Sequence, residues 1–246
     1  MGKRKFWAVS RRLLAVIGMA LLSTAWGTAK PVDQLTPHTA EYNVRISVVS
    51  GKLTTELAAT DSGYVARHVI FPTGMSRLLA RGEISETSEF SHSDGGFSPV
   101  AYRSNDTLSK DPARTDVRFD WDARQASGTV NDEEFVTALD GLLHDRVSIQ
   151  YELMHDLQNG GAGEHYRLFD IDRQKLLNVR SIGSKPVDVP AGKFNAVGIQ
   201  HQAENSSRVT TLWCVEELGY LPVIIEQHRN GKLRVQATLQ RYSVTG

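Results

Sequence analysis

Apolar and polar residues alternate over most of the chain. Between Ala40 and Val48, apolar residues occupy every second position and polar residues lie between them. A period of two places successive side chains on opposite faces of an extended chain, so it predicts strands with one buried and one wet face. Similar runs recur as far as Leu239 and are separated by short segments rich in glycine, aspartate and asparagine. They predict about a dozen strands joined mostly by tight turns.

Turn residues set the expected strand boundaries. Ser50-Gly51 and Asn230-Gly231 each predict a turn, the second because Asn-Gly readily adopts the positive φ angles of a two-residue hairpin. Residues 78–92 read as one long strand in which Gly82 suggests a bulge. Residues 175–182 and 187–189 read as two separate strands.

One stretch has helical periodicity. Val147, Tyr151 and Met154 recur at spacings of four and three, which predicts an amphipathic helix with one apolar face. Asp145 precedes it as an N-cap, and the glycines at 160–161 follow as a stop. A single helix among many strands can cover the apolar face of a curved sheet.

These elements predict an all-β, mainly antiparallel fold. We expect a curved sheet or open barrel of about a dozen strands with one amphipathic helix. No composition shift divides residues 38–246, so we expect a single β-rich domain there, preceded by a short linker at 30–37.

The first 29 residues have the layout of a secretory signal peptide. Five basic residues and no acidic one accompany an apolar run at 13–22, and Gly27-Thr28-Ala29 supplies a small-residue cleavage pattern near Ala29. The apolar run is short for a membrane span of ~20 residues, although an uncleaved anchor is the alternative. We therefore expect a periplasmic protein with no stable membrane span once the signal is removed.

Charge and cysteine content narrow the function classes. Removing residues 1–29 leaves 23 of the 28 basic residues against 28 acidic ones, a net charge of −5. A mildly acidic protein is a poor match for nucleic acid, so we expect no nucleic-acid partner. The one cysteine, Cys214, excludes an internal disulfide, and its apolar strand predicts a buried, inert thiol.

Clusters of chemically active residues favour no particular reaction. None of the eight histidines stands at a zinc-ligand spacing from another, so no metal site or cofactor is expected. Asp120 and Asp122 alternate with apolar Phe119 and Trp121, which places these acids on the solvated face. The neighbouring acids at 132–134 are interpreted in the same way, and we predict no catalytic residues.

Aromatic residues on the apolar faces suggest where a ligand would bind. Trp121, Tyr151 and Trp213 are the candidates for the wall of an internal cavity. The competing interpretation is an ordinary filled core, since protein interiors are close-packed. The cavity interpretation stands because large curved sheets and barrels can enclose space for a ligand.

The carboxy-terminal half carries the motifs of a known family. Residues 189–194 (Val-Pro-Ala-Gly-Lys-Phe), 212–213 (Leu-Trp) and 218–223 (Leu-Gly-Tyr-Leu-Pro-Val) resemble the bacterial exported family catalogued as domain of unknown function 3108. The segments 119–122 and 143–145 fit it too, so the resemblance covers about residues 40–244. It implies a periplasmic, largely antiparallel β protein without assigned active-site residues. The architecture also resembles the half barrel of lipoprotein carriers, which is analogy of fold alone.

Three functions remain open at this point. The leading hypothesis is non-catalytic binding of a lipid or another apolar or amphipathic small molecule inside the curved sheet. An envelope protein–protein interaction module that offers an exposed strand edge is the first alternative. A hydrolase of envelope material is the second, and it requires a cleft where a carboxylate or histidine meets a nucleophile.

Overall fold

The computed structural model describes residues 34–93, 96–170 and 173–245, which contain fourteen antiparallel strands in one sheet. The strands are β1 (His38–Ile46), β2 (Val49–Thr60), β3 (Gly63–Pro72), β4 (Ile84–Ser93), β5 (Gly96–Asp106), β6 (Ala113–Asp120), β7 (Gln125–Val130), β8 (Glu133–Ala138), β9 (His165–Asp170), β10 (Arg173–Val189), β11 (Gly192–Ala203), β12 (Arg208–Val215), β13 (Leu221–Arg229) and β14 (Lys232–Val244). Their order across the sheet is β8-β7-β6-β5-β4-β3-β2-β1-β14-β13-β12-β11-β10-β9.

One α-helix, α1 (Ser148–Gln158), lies between β8 and β9 in the sequence, and 3-10 helices occur at Gly74–Leu78 and Glu216–Leu218. The predicted class, an open curved antiparallel sheet with one helix, is confirmed. Each strand except the two at the edges pairs with neighbours on both sides.

The turns follow local chemistry where the sequence carries a strong signal. Asn230 and Gly231 have φ angles of 51° and 72°, so the predicted hairpin turn between β13 and β14 is confirmed. The first turn was placed wrongly at residues 50–51, because the chain reverses at Ser47 and Val48, where Ser47 adopts φ 54°. Residues 50–51 instead belong to β2 and pair with β1.

Three strand predictions were wrong. Residues 78–92 do not form one strand, because a 3-10 helix ends at Leu78 and Gly82, with φ 102°, precedes β4 rather than bulging it. The two short strands expected at 175–182 and 187–189 are one strand, β10, whose pairing with β11 is interrupted between Ser181 and Ser184. β8 was missed altogether because its sequence begins with two exposed acidic residues.

The sheet curls until its two edge strands approach each other. Five of the strand pairs have register shifts between consecutive pairs, and such bulges bend strands and increase twist. Phe135 on β8 stacks on Phe169 on β9 with ring centroids 5.9 Å apart, and Gln174 Nε2 donates to the Ala138 carbonyl at 2.7 Å. In the described residues, no ladder pairs β8 with β9, so side chains alone bring the edges together.

The segment before α1 covers the free edge of β9. His144 forms an isolated parallel bridge with Leu168, in which the His144 amide donates to Arg167 and the Phe169 amide donates to His144. This contact satisfies backbone groups that would otherwise be open at a sheet edge.

The start of α1 depends on one buried carboxylate. Asp145 Oδ1 accepts the amides of Val147 and Ser148 at 2.8 and 2.9 Å, as expected of a capping carboxylate, although the N-cap position of α1 is Val147, two residues later than predicted. Ser148 Oγ accepts the Asp145 amide in return, and Ser88 Oγ donates to Asp145 Oδ2 at 2.5 Å. Burial raises the pKa of Asp145 to about 6, although these hydrogen bonds lower it in part. Because Ser88 lies on β4, the cap also fixes the helix to the sheet.

The interior has two groups of packed apolar side chains, and α1 contributes to both. The main core contains, among others, Tyr42, Leu57, Phe90, Phe97, Val117, Val147, Tyr151, Met154, Phe169 and Trp213. The second core contains Leu153, Tyr166, Leu177, Ile199, Leu212 and Cys214. Trp213 and Cys214 therefore face different cores, as expected for neighbours on a strand.

Pro31–Gly246 forms one compact unit. The predicted signal peptide at 1–29 lies outside the described residues, as do the first residues of the predicted linker. In the described part of the chain, no helix is both long and apolar enough to cross a bilayer.

Candidate functional site

A cavity lies beside the carboxy-terminal end of α1, against β10 and β11. Its volume is about 600 Å³. It is lined by Leu157, Gly161, Ala162, Gly163, Glu164, His165, Asn178, Val179, Arg180, Ser181, Val197 and Ile199. The glycine-rich segment after the helix forms one wall, and β10 and β11 form the opposite wall. We call this the helix-end cavity.

The lining of the helix-end cavity is amphipathic. Five apolar residues, Leu157, Ala162, Val179, Val197 and Ile199, belong to the second core or pack against it. Two glycines and five polar or charged residues, several of them exposed, supply the rest of the lining. Among them, Arg180 is exposed and its Nε donates to Gln200 Oε1 at 3.0 Å. The cavity thus offers an apolar surface next to two exposed charged side chains of opposite sign, Arg180 and Glu164.

A short hydrogen-bond chain leads from the cavity wall to the side of α1. The Gly163 amide donates to Tyr166 Oη at 2.8 Å, and Tyr166 Oη donates to Asp156 Oδ2 at 2.5 Å. Burial raises the pKa of Tyr166, and the neighbouring Asp156 carboxylate raises it further. Tyr166 therefore stays protonated and fixes the cavity wall relative to the helix.

Three side chains of types that can bind a metal ion meet on this part of α1. Glu152, His155 and Asp156 each offer one ligand atom, and these atoms all lie within 4.8 Å of one another. We call them the donor cluster. Spacings of three and four residues put all three on one helix face, and they lie towards the carboxy-terminal end, where the helix dipole favours cations.

Glu152 is the buried carboxyl group of the donor cluster. Its exposed fraction is 3%, and its Oε2 accepts the Phe97 amide from β5 at 2.6 Å. Burial raises the pKa of Glu152 to about 7; the Phe97 hydrogen bond lowers it in part, and the nearby Asp156 charge raises it. Burial therefore favours the protonated carboxyl group more than exposure to water would.

His155 lacks hydrogen-bond partners within the described residues. Both of its ring nitrogens are buried and neither has a hydrogen-bond partner there, although Nδ1 lies 3.8 Å from Asp156 Oδ1. Its ring packs edge-on against Phe97 and His92, with centroids 5.1 and 5.8 Å away. An imidazole beside two carboxylates can bind a divalent cation together with them.

The donor cluster was missed in the sequence, although a signal for it exists. Histidine-to-histidine spacings do not indicate it, whereas Glu152-x-x-His155-Asp156 combines different ligand types at helical spacing. The exposure of the acids at 120, 122 and 132–134 agrees with the solvated faces expected for them.

The three aromatic residues predicted for a cavity wall lie elsewhere. Tyr151 is fully buried in the main core, where its ring stacks on Phe90 and its hydroxyl shares a hydrogen bond of 3.3 Å with His68 Nε2. Trp121 packs against the same core, and its Nε1 donates to the Pro99 carbonyl at 2.8 Å. None of the predicted three is among the residues that line the helix-end cavity.

Trp213 has an unusual environment for a core residue. Lys185 Nζ lies 3.8 Å from its ring centroid, and Gly198 packs so closely that an added Cβ would come within 2.7 Å of the ring. Its indole nitrogen is buried without a hydrogen-bond partner in the described residues. Its neighbour Cys214 is fully buried, and burial raises the pKa of its thiol to about 12, as expected of an inert cysteine.

Comparison with known proteins identifies the family. The family model described as "Protein of unknown function (DUF3108)" matches residues 39–238. The chain belongs to the DUF3108 family. The suspected resemblance is thereby confirmed. No curated protein sequence matches this DUF3108 chain.

One solved structure supports the architecture. The chain is similar to a β-barrel-like protein of domain of unknown function DUF1849 from Brucella abortus, with a TM-score of 0.58 and 14% identity, over 86% of this chain and 99% of that one. It is also similar to a Bacteroides fragilis protein with a YmcC-like fold, with a TM-score of 0.35 and 12% identity, over 85% and 97% of the two chains. At such identities the first similarity speaks for the fold alone, and the second supports no argument.

Proposed function

We propose that this DUF3108 protein is a non-catalytic binding protein that holds an apolar or amphipathic small molecule in the helix-end cavity. The observation that carries the proposal is the cavity itself, with its apolar residues from α1, β10 and β11 and Arg180 in its lining. Pockets for small molecules measure ~300–1,000 Å³ and combine apolar lining with a few polar groups. The volume of about 600 Å³ falls within that range.

The lining suggests how such a ligand would lie. An alkyl chain would contact Val179, Val197 and Ile199, which lie between the second core and the cavity. An anionic head group would lie near Arg180, whose guanidinium is exposed and bound to a neutral amide rather than to a carboxylate. A fatty acid or a phospholipid satisfies both requirements.

The cell envelope is the proposed location. The basic, apolar and small-residue order of residues 1–29 supports export. A lipid-binding role suits that compartment, because amphiphiles need a carrier to leave a membrane for water.

Native mass spectrometry of the exported protein, followed by lipid extraction, tests the proposal. Ala162 lines the cavity and is partly buried, so the larger side chain of Ala162→Trp should obstruct part of the cavity and reduce the amount of co-purifying lipid. Ala59→Trp is the matched control, because Ala59 is exposed on β2, away from the cavity. A lipid bound equally by both variants, or no bound molecule in the wild type, would refute the proposal.

A second candidate function has one observation in its favour. β8 is an edge strand, and Val136 on it is 68% exposed, so the strand could pair with an envelope protein. A photo-crosslinker at position 136 should then capture a single dominant protein in cells. A set of weak products that does not differ from that of an exposed control position would eliminate this alternative.

A further inference from the structure

Four apolar side chains protrude at one end of the sheet. Val48, Met75, Leu78 and Leu79 are between 70% and 86% exposed. We call these four residues the apolar rim. Soluble proteins rarely expose several large apolar side chains together unless the surface makes a contact. Nothing in the helix-end cavity or the donor cluster accounts for them.

The apolar rim is built on structured backbone. Val48 lies in the β1–β2 turn, and the other three residues lie in or directly after the 3-10 helix at Gly74–Leu78. The Thr73 amide donates to the Ser50 carbonyl, and the Ser50 amide donates to Ser76 Oγ at 2.8 Å. The Ser47 amide donates to Arg234 on β14, so the turn, the 3-10 helix and β14 adjoin one another.

Basic residues surround the rim. The segments 45–48, 73–83 and 230–234 contain five basic residues and one acidic residue, Glu83. The basic residues, all exposed, are Arg45, Arg77, Arg81, Lys232 and Arg234. Within the described part of the chain, no ion pair involves any of the five. This concentration contrasts with the net charge of −5 of the chain beyond residue 29.

We propose that the apolar rim and its basic border dock onto an anionic lipid bilayer. Apolar side chains that protrude from turns can enter the acyl boundary, while the surrounding bases contact anionic head groups. A second copy of the chain is a poor occupant, because pairing the same faces would bring five bases against five others. An acidic protein would satisfy the bases, but the protruding side chains would need matching pockets.

The test is co-sedimentation of the exported protein with vesicles. One vesicle type contains phosphatidylglycerol and phosphatidylethanolamine, and the other contains phosphatidylcholine alone. We expect binding to the anionic vesicles that weakens as salt is raised, because screening reduces attraction between exposed charges. Leu78→Ser combined with Leu79→Ser should lower the partition constant about tenfold or more, because each leucine side chain that leaves water for the bilayer contributes strongly to binding.

Two further variants separate the contributions. Arg81→Glu with Lys232→Glu should weaken binding on the order of fivefold or more per site at low salt and remove most of the salt dependence. Val136→Ser with Val244→Ser is the control, because both valines are exposed but lie outside the rim. Circular dichroism melts establish that every variant folds.

Three outcomes would overturn the proposal. They are absence of binding to anionic vesicles, equal binding by the rim variant and the control variant, and a wild-type dimer in light scattering that the rim variant loses. The test does not involve the helix-end cavity, so failure of the ligand proposal would leave it unaffected.

Discussion

The pH dependence of folding around Glu152 provides a direct test of how the donor cluster is built. Its carboxyl group is buried, accepts one backbone amide and lies beside Asp156. Burial raises its pKa from 4.5 to about 7 in the folded protein. The folded state therefore binds the proton more tightly than the unfolded state. The stabilisation from this group is fully present below about pH 4.5 and is lost as the pH rises through about 7.

The expected magnitude follows from the size of that change. Each pKa unit corresponds to about 1.4 kcal/mol, so a rise of roughly 2.5 units is worth about 3 kcal/mol. Glu152→Gln removes the titration and keeps an amide oxygen able to accept the Phe97 hydrogen bond. The free energy of unfolding of the wild type minus that of the variant should fall by about 3 kcal/mol between about pH 4.5 and pH 8.

Urea denaturation of both proteins across that range, with a chelator present, measures the difference. Taking the difference cancels groups that titrate in both proteins, including Asp145 and the buried histidines. A difference that stays flat or rises with pH would refute the reasoning. A flat difference would show that burial does not raise the pKa of Glu152, and a rise would show that its carboxylate is stabilised in the folded protein.

Two further predictions concern a core residue and a metal. Trp213→Ala should destabilise the protein by ~3–5 kcal/mol in urea denaturation, because the ring lies in the main core between Lys185 and Gly198. Val136→Ala, at an exposed position, is the control. A similar loss of unfolding free energy in both variants would contradict core packing of Trp213. Zinc should raise the Tm of the wild type and leave that of His155→Ala unchanged, because three donors lie within 4.8 Å and the His155 nitrogens lack hydrogen-bond partners. His165→Ala is the control, and an equal zinc response in both variants would exclude the donor cluster as the binding site.

The success of the sequence predictions depended on how local the determining interactions are. Asn230-Gly231 forms its hairpin because two residues alone favour positive φ angles. Asp145 caps α1 because its carboxylate reaches amides only two and three residues away. β8 could not be predicted because an exposed edge strand that begins with Glu133 and Glu134 has little apolar alternation. Its pairing with β7, which the sequence pattern does not show, makes it a strand.

The candidate site depends even more on contacts between residues that are distant in the sequence. The spacing of Glu152, His155 and Asp156 on one helix face can be read from the sequence. The burial of Glu152 cannot, because it arises where β5 brings the Phe97 amide against a helix 55 residues later in the chain. The aromatic candidates Trp121, Tyr151 and Trp213 were predicted from their apolar faces, and apolar periodicity cannot distinguish a filled core from a cavity wall.

The sequence by itself determined the antiparallel class, helix α1 with the carboxylate near its start, the family and the pattern of an export signal. These properties depend on side-chain alternation, turn residues and short motifs, all of which act over a few positions. Only the tertiary structure decided where space for a ligand lies, which acidic side chains are buried and which apolar residues protrude together. Those outcomes depend on the way fourteen strands curl until β8 meets β9 and the end of α1 meets β10 and β11, and such long-range contacts leave no periodic signal in the chain.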